Sequence, residues 1–423
     1  MYEVRLDISV IGSNGKPADA GSFLGTHARG YQASTMQFHA QGNTLAETAH
    51  VLAQGMGIIK KDFEGTGHFP VLVGTYLCGE QPVVDHPMHH LLAGVYGKEM
   101  GEYKSLLLNA RFTFPLHQGT SDNRTERDAV KSLQEAQLNA GISLVPLYTA
   151  FLGSSPAGEL RDQRADYVAR AKTGHDLTRY HLVSSIDSQK QMMKYQSTKF
   201  RAAAMEYVAK LQKKDRSTAD RLRTALKHFD ALQIALNPWT ITHHNNVPHL
   251  VFNADSCPDL EAVIGMMALT EGVLRTVKLT GESPVSSKPL KSMELYARYY
   301  GLENRQENHG LLSFADSVLD FAATGLSEHE QALLMPLASR LASGRNPADD
   351  IRDVFAQGGY AAIHSNIIIP SIEKTRTATK EVAVYTLQPE PVASTRQKRA
   401  WTVPARLAEV AAATTGFLIS LAK

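Results

Sequence analysis

The sequence predicts an α+β protein, in which a mixed N-terminal sheet region is followed by a helix-rich region with a strand–loop–helix unit. Residues 2–10 alternate between apolar and polar over their central part, which is typical of a strand with one buried face. Residues 187–233 contain no Pro or Gly and carry apolar residues among Lys and Arg, which indicates one long or two consecutive amphipathic helices. Strands early in the chain and helices late in it give the predicted class.

The first region, residues 1–155, is predicted to mix strands and helices. The Asn14-Gly15 turn after the first strand, followed by the apolar run at 22–25, predicts a hairpin. Further along, strands are predicted at 71–77, 104–116 and 142–152, and helices at 44–59 and 124–139.

The second region, residues 156–372, is predicted to be mostly helical. The long helical run ends at Asn237, because a residue that precedes proline disfavours α geometry. A short strand at 248–252 then leads into an apolar helix from Pro258 to about Lys278, and three more helices are predicted near 291–300, 311–324 and 328–343. Residues 373–423 are predicted to form a basic linker and a C-terminal apolar helix.

Composition excludes several classes of protein. Hydrophobic residues make up 43% of the 423 residues and the formal charge is +2, so the chain is globular and has no overall charge that favours nucleic acid. Two cysteines exclude a disulfide scaffold and a cysteine-rich zinc module, and they suit a reducing compartment. Neither a signal peptide nor a membrane-spanning run is apparent, so we expect a soluble protein of the cytoplasm.

The turn after the strand at 248–252 carries the most specific signal. It reads Asn253, Ala254, Asp255, Ser256, Cys257, Pro258, Asp259, Leu260 and Glu261. A strand, a polar turn and a helix N-terminus are the arrangement that many phosphate sites use, because backbone N–H groups and the helix dipole attract an anion there. The three carboxylates in this turn would, however, repel a phosphate. The alternative is an ordinary capped helix, which Ser256, Pro258 and Asp259 also fit.

This turn resembles the signature Asn-Cys-Lys-Ser-Gly-Lys-Asp-Arg-Thr of the bacterial effector phosphoinositide phosphatases of the SopB/IpgD type. Asn253, Ser256 and Asp259 match it in register, and weaker similarities extend over most of residues 1–365, for example at 23–30 and 342–346. The resemblance implies a strand–loop–helix phosphatase unit and, for an effector, delivery into the cytoplasm of a host cell.

The departures from this signature imply a loss of catalysis. Ala254 stands at the position of the nucleophilic cysteine, and a methyl group cannot attack phosphorus. Leu260 stands at the position of the arginine that grips the transferring phosphoryl group. The turn is therefore interpreted as a degenerate loop, without a catalytic residue or a cofactor, whose Asp255, Asp259 and Glu261 are surface determinants for a partner.

Histidines form two clusters whose spacing suits a metal. They are His86, His89 and His90 in the first cluster, and His243, His244 and His249 in the second. A proline lies inside each cluster, so neither presents its ligands on a regular helix face; histidines that make hydrogen bonds in loops are the ordinary alternative.

The C-terminal segment has two features of its own. Arg396, Lys398, Arg399 and Arg406 surround Trp401 and form a basic tail that suits a nucleic-acid backbone or a lipid headgroup, or simply a solvated linker. The apolar residues from Leu407 to Leu421 predict a segment that docks on its own domain, on a second copy of the chain or on a membrane surface.

Three functions follow from these patterns. The first hypothesis is a non-catalytic, pseudophosphatase-like protein that binds a macromolecular partner, most simply another protein, as a virulence effector would. The alternatives are a metal-dependent hydrolase that uses the histidine and aspartate clusters, and a structural or assembly protein that coats nucleic acid.

Overall fold

The computed structural model describes residues 1–16, 18, 35–73, 90–91, 94–95, 109–119, 123–170, 186–227, 237–245, 247–284, 289–306 and 308–386. Within these ranges the chain is an α+β protein, as the sequence predicts. A six-stranded sheet is built mostly from the N-terminal part, and most of the helices follow it.

The sheet has the strand order β2-β1-β4-β6-β5, and β3 pairs with the end of β1. The strands are β1 (Tyr2–Gly12), β2 (Thr35–Gly42), β3 (His68–Val71), β4 (Asn109–Pro115), β5 (Trp239–His244) and β6 (Val247–Asp255). Every pairing is antiparallel. The sheet crosses the predicted boundary at 155, because β6 of the second region lies beside β4 of the first.

Helices cover the sheet and fill the second half of the described chain. They are α1 (Leu45–Phe63), α2 (Arg124–Ser143), α3 (Val145–Leu152), α4 (Gln163–Arg170), α5 (Ile186–Gln212), α6 (Arg216–Lys227), α7 (Leu260–Thr280), α8 (Leu290–Tyr300), α9 (Leu311–Gly325), α10 (Glu328–Gln331), α11 (Met335–Ser343), α12 (Pro347–Ile363) and α13 (Ile369–Thr386). A 3₁₀ turn joins α10 to α11, and a π-helical turn joins α12 to α13. Within the described ranges, no helix is both long and apolar enough to cross a membrane.

Helix α7 lies at the centre of the core. Nearly all of its residues are buried, because it contacts α2 and α3 near the sheet, α9 and α11 among the later helices, and also α13. Beneath it an aromatic group ties the sheet to α3: the ring of Tyr148 stacks on Phe252 at 4.4 Å and meets Phe112 edge-on at 5.2 Å. The turn that follows β6 is thereby placed in the interior.

Two expectations from the sequence are wrong. Residues 145–152 form helix α3 and not a strand, since a short apolar run buried on every side fits both structures equally well. Residues 373–386 belong to helix α13 and not to a linker. Strand β1 pairs with β2 at 35–42, and the partner expected at 22–25 lies outside the described residues, so that hairpin stays a prediction.

Candidate functional site

The turn between β6 and α7 is an interior element and not a surface loop. Asn253, Asp255 and Ser256 are each at most 4% exposed, and Leu260 is completely buried. Asp259 is 8% exposed. The interpretation of Asp255 and Asp259 as surface determinants is therefore wrong, because both carboxylates bind groups of their own chain.

The first three backbone N–H groups of α7 all have acceptors within the chain. The N–H of Leu260 donates to Ser371 Oγ at 2.7 Å, and the N–H groups of Glu261 and Ala262 donate to Asp259 Oδ1 at 3.1 and 3.2 Å. The N–H of Val263 makes the first regular helical bond, to the carbonyl oxygen of Asp259. The N–H groups of the first three helical residues are thus satisfied within the chain, and none of these three remains for an anion. The cap is Asp259 and not Ser256.

The charge of the capping carboxylate is balanced from α11. Arg340 contacts Asp259 Oδ2 through Nε at 2.7 Å and through Nη2 at 2.5 Å. Its Nη1 donates to Asp350 of α12 at 3.0 Å. Both carboxylates raise the pKa of Arg340 against the effect of burial, so the guanidinium stays charged. This arginine serves the helix cap and is not turned toward an open site.

Glu261 is the one carboxylate of the turn with substantial solvent contact. Its side chain is 28% exposed and lies 3.8 Å from Lys374 Nζ. Burial, followed by the charge of Asp259, raises its pKa. A single half-exposed glutamate does not form the acidic surface that the sequence predicts.

Asp255 is held by the chain that follows α3. Its Oδ2 accepts the N–H of Ser154 at 3.2 Å and a short hydrogen bond from Ser155 Oγ. Ser154 Oγ donates to the carbonyl of Ser256, whose own hydroxyl donates to the carbonyl of Asp7 in β1. These bonds join the turn to the segment after α3 and to the sheet.

A second buried carboxyl, Asp162, lies close enough to Asp255 for their charges to interact. Burial, and then the charge of Asp255, raises the pKa of Asp162 well above its ordinary value. Burial likewise raises the pKa of Asp255 to about 6, although the hydrogen bond from Ser155 and the charge of Arg164 oppose the rise. Two interacting buried carboxyls hold on to a proton at pH values at which an exposed aspartate has lost it.

Arg164 links this pair to the sheet. Its Nε donates to Asn109 Oδ1 and its Nη1 donates to the carbonyl of Asn253 at 3.3 Å. Asn253 in turn donates from Nδ2 to the carbonyl of Asn237 at 2.8 Å. A cavity of about 20 Å³ lies among these groups and is lined in part by Ala254. That volume suits a single water molecule and is far below the several hundred Å³ of a ligand pocket.

Cys257 is also buried and carries no sign of a nucleophile. It is completely inaccessible, and its Sγ lies 3.7 Å from the carbonyl of Asp259. Burial, followed by the charge of Asp259, raises its pKa well above the ordinary value. A reactive cysteine has the opposite surroundings, because it needs a low pKa and access.

The second histidine cluster does not converge. His243 and His244 are consecutive in β5, so they point to opposite faces of the sheet, and His249 lies diagonally from His244 on the same face. His249 is buried and its Nδ1 lies 3.0 Å from the carbonyl of Val247. No group of three metal-ligating side chains occurs among the residues that the structure describes. His86 and His89 of the first cluster lie outside those residues, and His90 lies within them.

The basic tail lies outside the residues that the structure describes. Arg396, Lys398, Arg399 and Arg406, together with the apolar segment after them, lie beyond residue 386. Their contribution to binding stays a prediction from the sequence.

Two groups of residues are not apparent from sequence motifs. Asp162 and Arg164 belong to the buried network around the turn, but they occur singly in a segment without a recognisable motif. The second group is the basic surface of α5 and α6. A count of charges over 186–227 reveals it, with eleven Lys and Arg against four Asp and Glu, whereas the charge of the whole chain conceals it.

Comparison with known proteins adds no relative to this picture. No protein-family model and no curated protein matches the chain. The resemblance to the phosphoinositide phosphatases thus depends on two things only: the residues from Asn253 to Glu261, and the weaker similarities elsewhere in residues 1–365.

Proposed function

We propose that this protein is a non-catalytic binding protein, and that the strand–turn–helix at 253–261 is a structural element of its core. The observation that supports this is the capped N-terminus of α7, whose first three N–H groups donate to Ser371 and Asp259. A phosphoryl-transfer site needs those donors directed at a substrate.

The surroundings of the turn support the same conclusion. Ala254 offers a methyl group and borders a cavity of about 20 Å³, while Leu260 is completely buried. An arginine in place of Leu260 would carry an unpaired charge into the core, which is strongly destabilising. The double substitution Ala254→Cys with Leu260→Arg is therefore expected to destabilise the fold and not to create a phosphatase.

The direct test is turnover by the unmodified chain. The purified protein is incubated with phosphoinositides and with p-nitrophenyl phosphate, and the release of phosphate or nitrophenolate is measured beside a working cysteine phosphatase. We expect no release above that of a buffer blank. Turnover that scales with protein concentration and is abolished by Asp255→Asn would overturn the proposal.

A structural role on nucleic acid is the second candidate function. The observation that favours it is the concentration of positive charge on α5 and α6, which lie apart in sequence from the turn. The metal-dependent hydrolase has no comparable observation in its favour, because His243 and His244 lie on opposite faces of the sheet.

A further inference from the structure

The helical hairpin of α5 and α6 is the most strongly charged element among the described residues. It spans residues 186–227, and its two helices pack against each other. It contains eleven Lys and Arg and four Asp and Glu, whereas the whole chain has 44 of the first kind and 42 of the second. The remainder of the chain is therefore net acidic, even though it includes the basic tail at 396–406.

The apolar faces of both helices are already occupied. Phe200, Ala204 and Val208 follow one another at four-residue spacing on α5 and are buried. Ala219 and Leu222 form the buried side of α6. A helix that binds a membrane surface needs a continuous apolar face to insert. Among the described side chains of α5, the large exposed apolar ones are Tyr195 and Met205, which lie ten residues apart and form no such face.

The acidic residues of the hairpin are all engaged. Glu206 pairs with Lys210 at 2.7 Å, and Asp220 pairs with Arg223 at 2.7 Å. Asp187 contacts Lys131 of α2 and its neighbour Lys190, and Asp215 caps α6. They balance part of the positive charge of the hairpin, and several of its other cations lie at the surface.

Those cations are exposed. Among the residues that the structure describes, Lys194, Arg201, Lys213 and Lys214 form no ion pair, and all are in contact with solvent. Lys213 and Lys214 lie in the turn between the helices, about 30 Å from Lys194 at 1.5 Å per residue. Exposed cations spread over this length match an extended polyanion better than a single small anion.

An aromatic ring accompanies these cations. Tyr195 is 64% exposed, and Lys199 Nζ lies 5.9 Å from the centre of its ring. Exposed aromatic rings among basic residues are the means by which proteins hold single-stranded nucleic acid, because every base has a face that stacks. An acidic protein partner gives no reason for this ring to stay in solvent beside a lysine.

We propose that the α5–α6 hairpin binds the phosphate backbone of a single-stranded nucleic acid, with Tyr195 stacking on a base. The inference rests on the proposed binding function and names the class of its partner. It also supports the assembly role, because a basic ridge that reads only the backbone binds without regard to sequence.

The test measures fluorescence anisotropy of a labelled 20-nucleotide oligo-dT with the full chain over a range of KCl concentrations. We expect binding that weakens steeply with salt. The variant K194Q/K199Q/K213Q/K214Q should bind at least about tenfold more weakly, and its log–log salt slope should be shallower by up to about 3, since each lost phosphate contact contributes roughly 0.7. The control K16Q/K61Q/K278Q/K291Q removes the same charge from exposed lysines elsewhere and should change little.

A second pair of variants tests the ring. Tyr195→Ala should weaken binding by about five- to a hundredfold, the range of one lost base stack, whereas Tyr195→Phe should retain it. The substituted positions are exposed, and circular dichroism checks that each variant is folded.

Three results would overturn the inference. They are the absence of oligonucleotide binding by the unmodified chain, equal weakening by the hairpin and control variants, and tighter binding to phosphatidylserine vesicles or polyglutamate than to oligo-dT. Each of these leaves the proposed lack of catalysis standing, because that proposal is tested by turnover.

Discussion

Asp162 and Asp255 show how a buried pair of carboxyls makes stability depend on pH. Burial raises the pKa of both, to about 6 for Asp255, so the unfolded chain releases these protons at a lower pH than the folded protein does. Their contribution to stability is complete below the pKa that these carboxyls have in the unfolded chain. This contribution is lost as the pH rises through the pKa that they have in the folded protein.

Replacing Asp162 by Asn should remove much of this dependence. The variant has no like charge beside Asp255, while Asn still caps α4 by accepting the N–H of Ala165, as Asp162 does at 2.6 Å. The unfolding temperature of the variant, relative to the unmodified protein, should therefore be higher at pH 7.5 than at pH 4.5. A difference that does not vary with pH would contradict this account.

Asp166→Asn serves as the matched control. This carboxylate is as deeply buried, but Arg298 contacts it at 3.3 Å. Its loss leaves a buried cation short of a partner, so the variant should have a lower unfolding temperature at both pH values.

Arg340 is expected to be the most sensitive residue of the α7 cap. Arg340→Met leaves the buried carboxylate of Asp259 without its cation and should lower the free energy of unfolding by about 3 kcal/mol, measured by urea denaturation. Arg345→Ala is the control, because that side chain is 47% exposed and pairs with Asp350 and Asp353 at the surface, where loss costs about 1 kcal/mol or less. Equal losses in the two variants would argue against the role given to Arg340.

At the scale of elements, the close approach of α7 and α9 depends on glycine. A Cβ on Gly272 would lie 2.4 Å from the carbonyl oxygen of Ala322, which belongs to the backbone of α9 and cannot move aside. Gly272→Ala should therefore lower the free energy of unfolding by about 1–3 kcal/mol, even though alanine is the better helix former by about 1 kcal/mol.

Gly57→Ala in α1 separates the effect of close packing from the effect of helix propensity. A Cβ there would meet only the flexible side chain of Arg376, at 3.2 Å. This variant should be as stable as the unmodified protein or more stable, by up to about 1 kcal/mol. Destabilisation of similar size in both variants, measured by urea denaturation, would show that close packing of α7 on α9 is not the cause.

The sequence predicts elements well where one face alone is buried. Helices α1 and α2 and strand β1 are confirmed, because their apolar residues recur with a clear period. Prediction from the sequence fails at α3, where all eight residues are buried and no period can appear.

The turn at 253–261 shows a similar limit for the candidate site. Its position between a strand and a helix is confirmed, but its burial depends on Ser371 and Arg340, which lie about a hundred residues away.

At the scale of the molecule, the sheet binds the two halves of the chain together. β6 lies between β4 and β5, so residues 1–155 alone would leave one side of β4 unpaired and would lack α7 over the core. A fragment of residues 1–155 is expected not to fold, and its amide NMR spectrum should lack the dispersion of the whole protein. A well-dispersed spectrum would mean that the first region is an independent domain.

The charge of the molecule is distributed unevenly, and this too is a property of the whole molecule. A net charge of +2 excludes nucleic acid by the usual argument, yet that figure averages a basic hairpin with a net acidic remainder. The sequence contains this information, but only a count restricted to residues 186–227 displays it, and only the fold shows that the cations share an exposed hairpin.

The N-terminus of α7 is capped by Asp259 and by Ser371 of α13, so we expect no phosphoryl site there. This is tested by the unfolding temperature of the full chain against increasing orthovanadate at constant ionic strength, because any ligand that binds the folded state raises that temperature. We expect an unchanged unfolding temperature up to millimolar vanadate. A rise that grows with concentration and disappears in Ser371→Ala would contradict it.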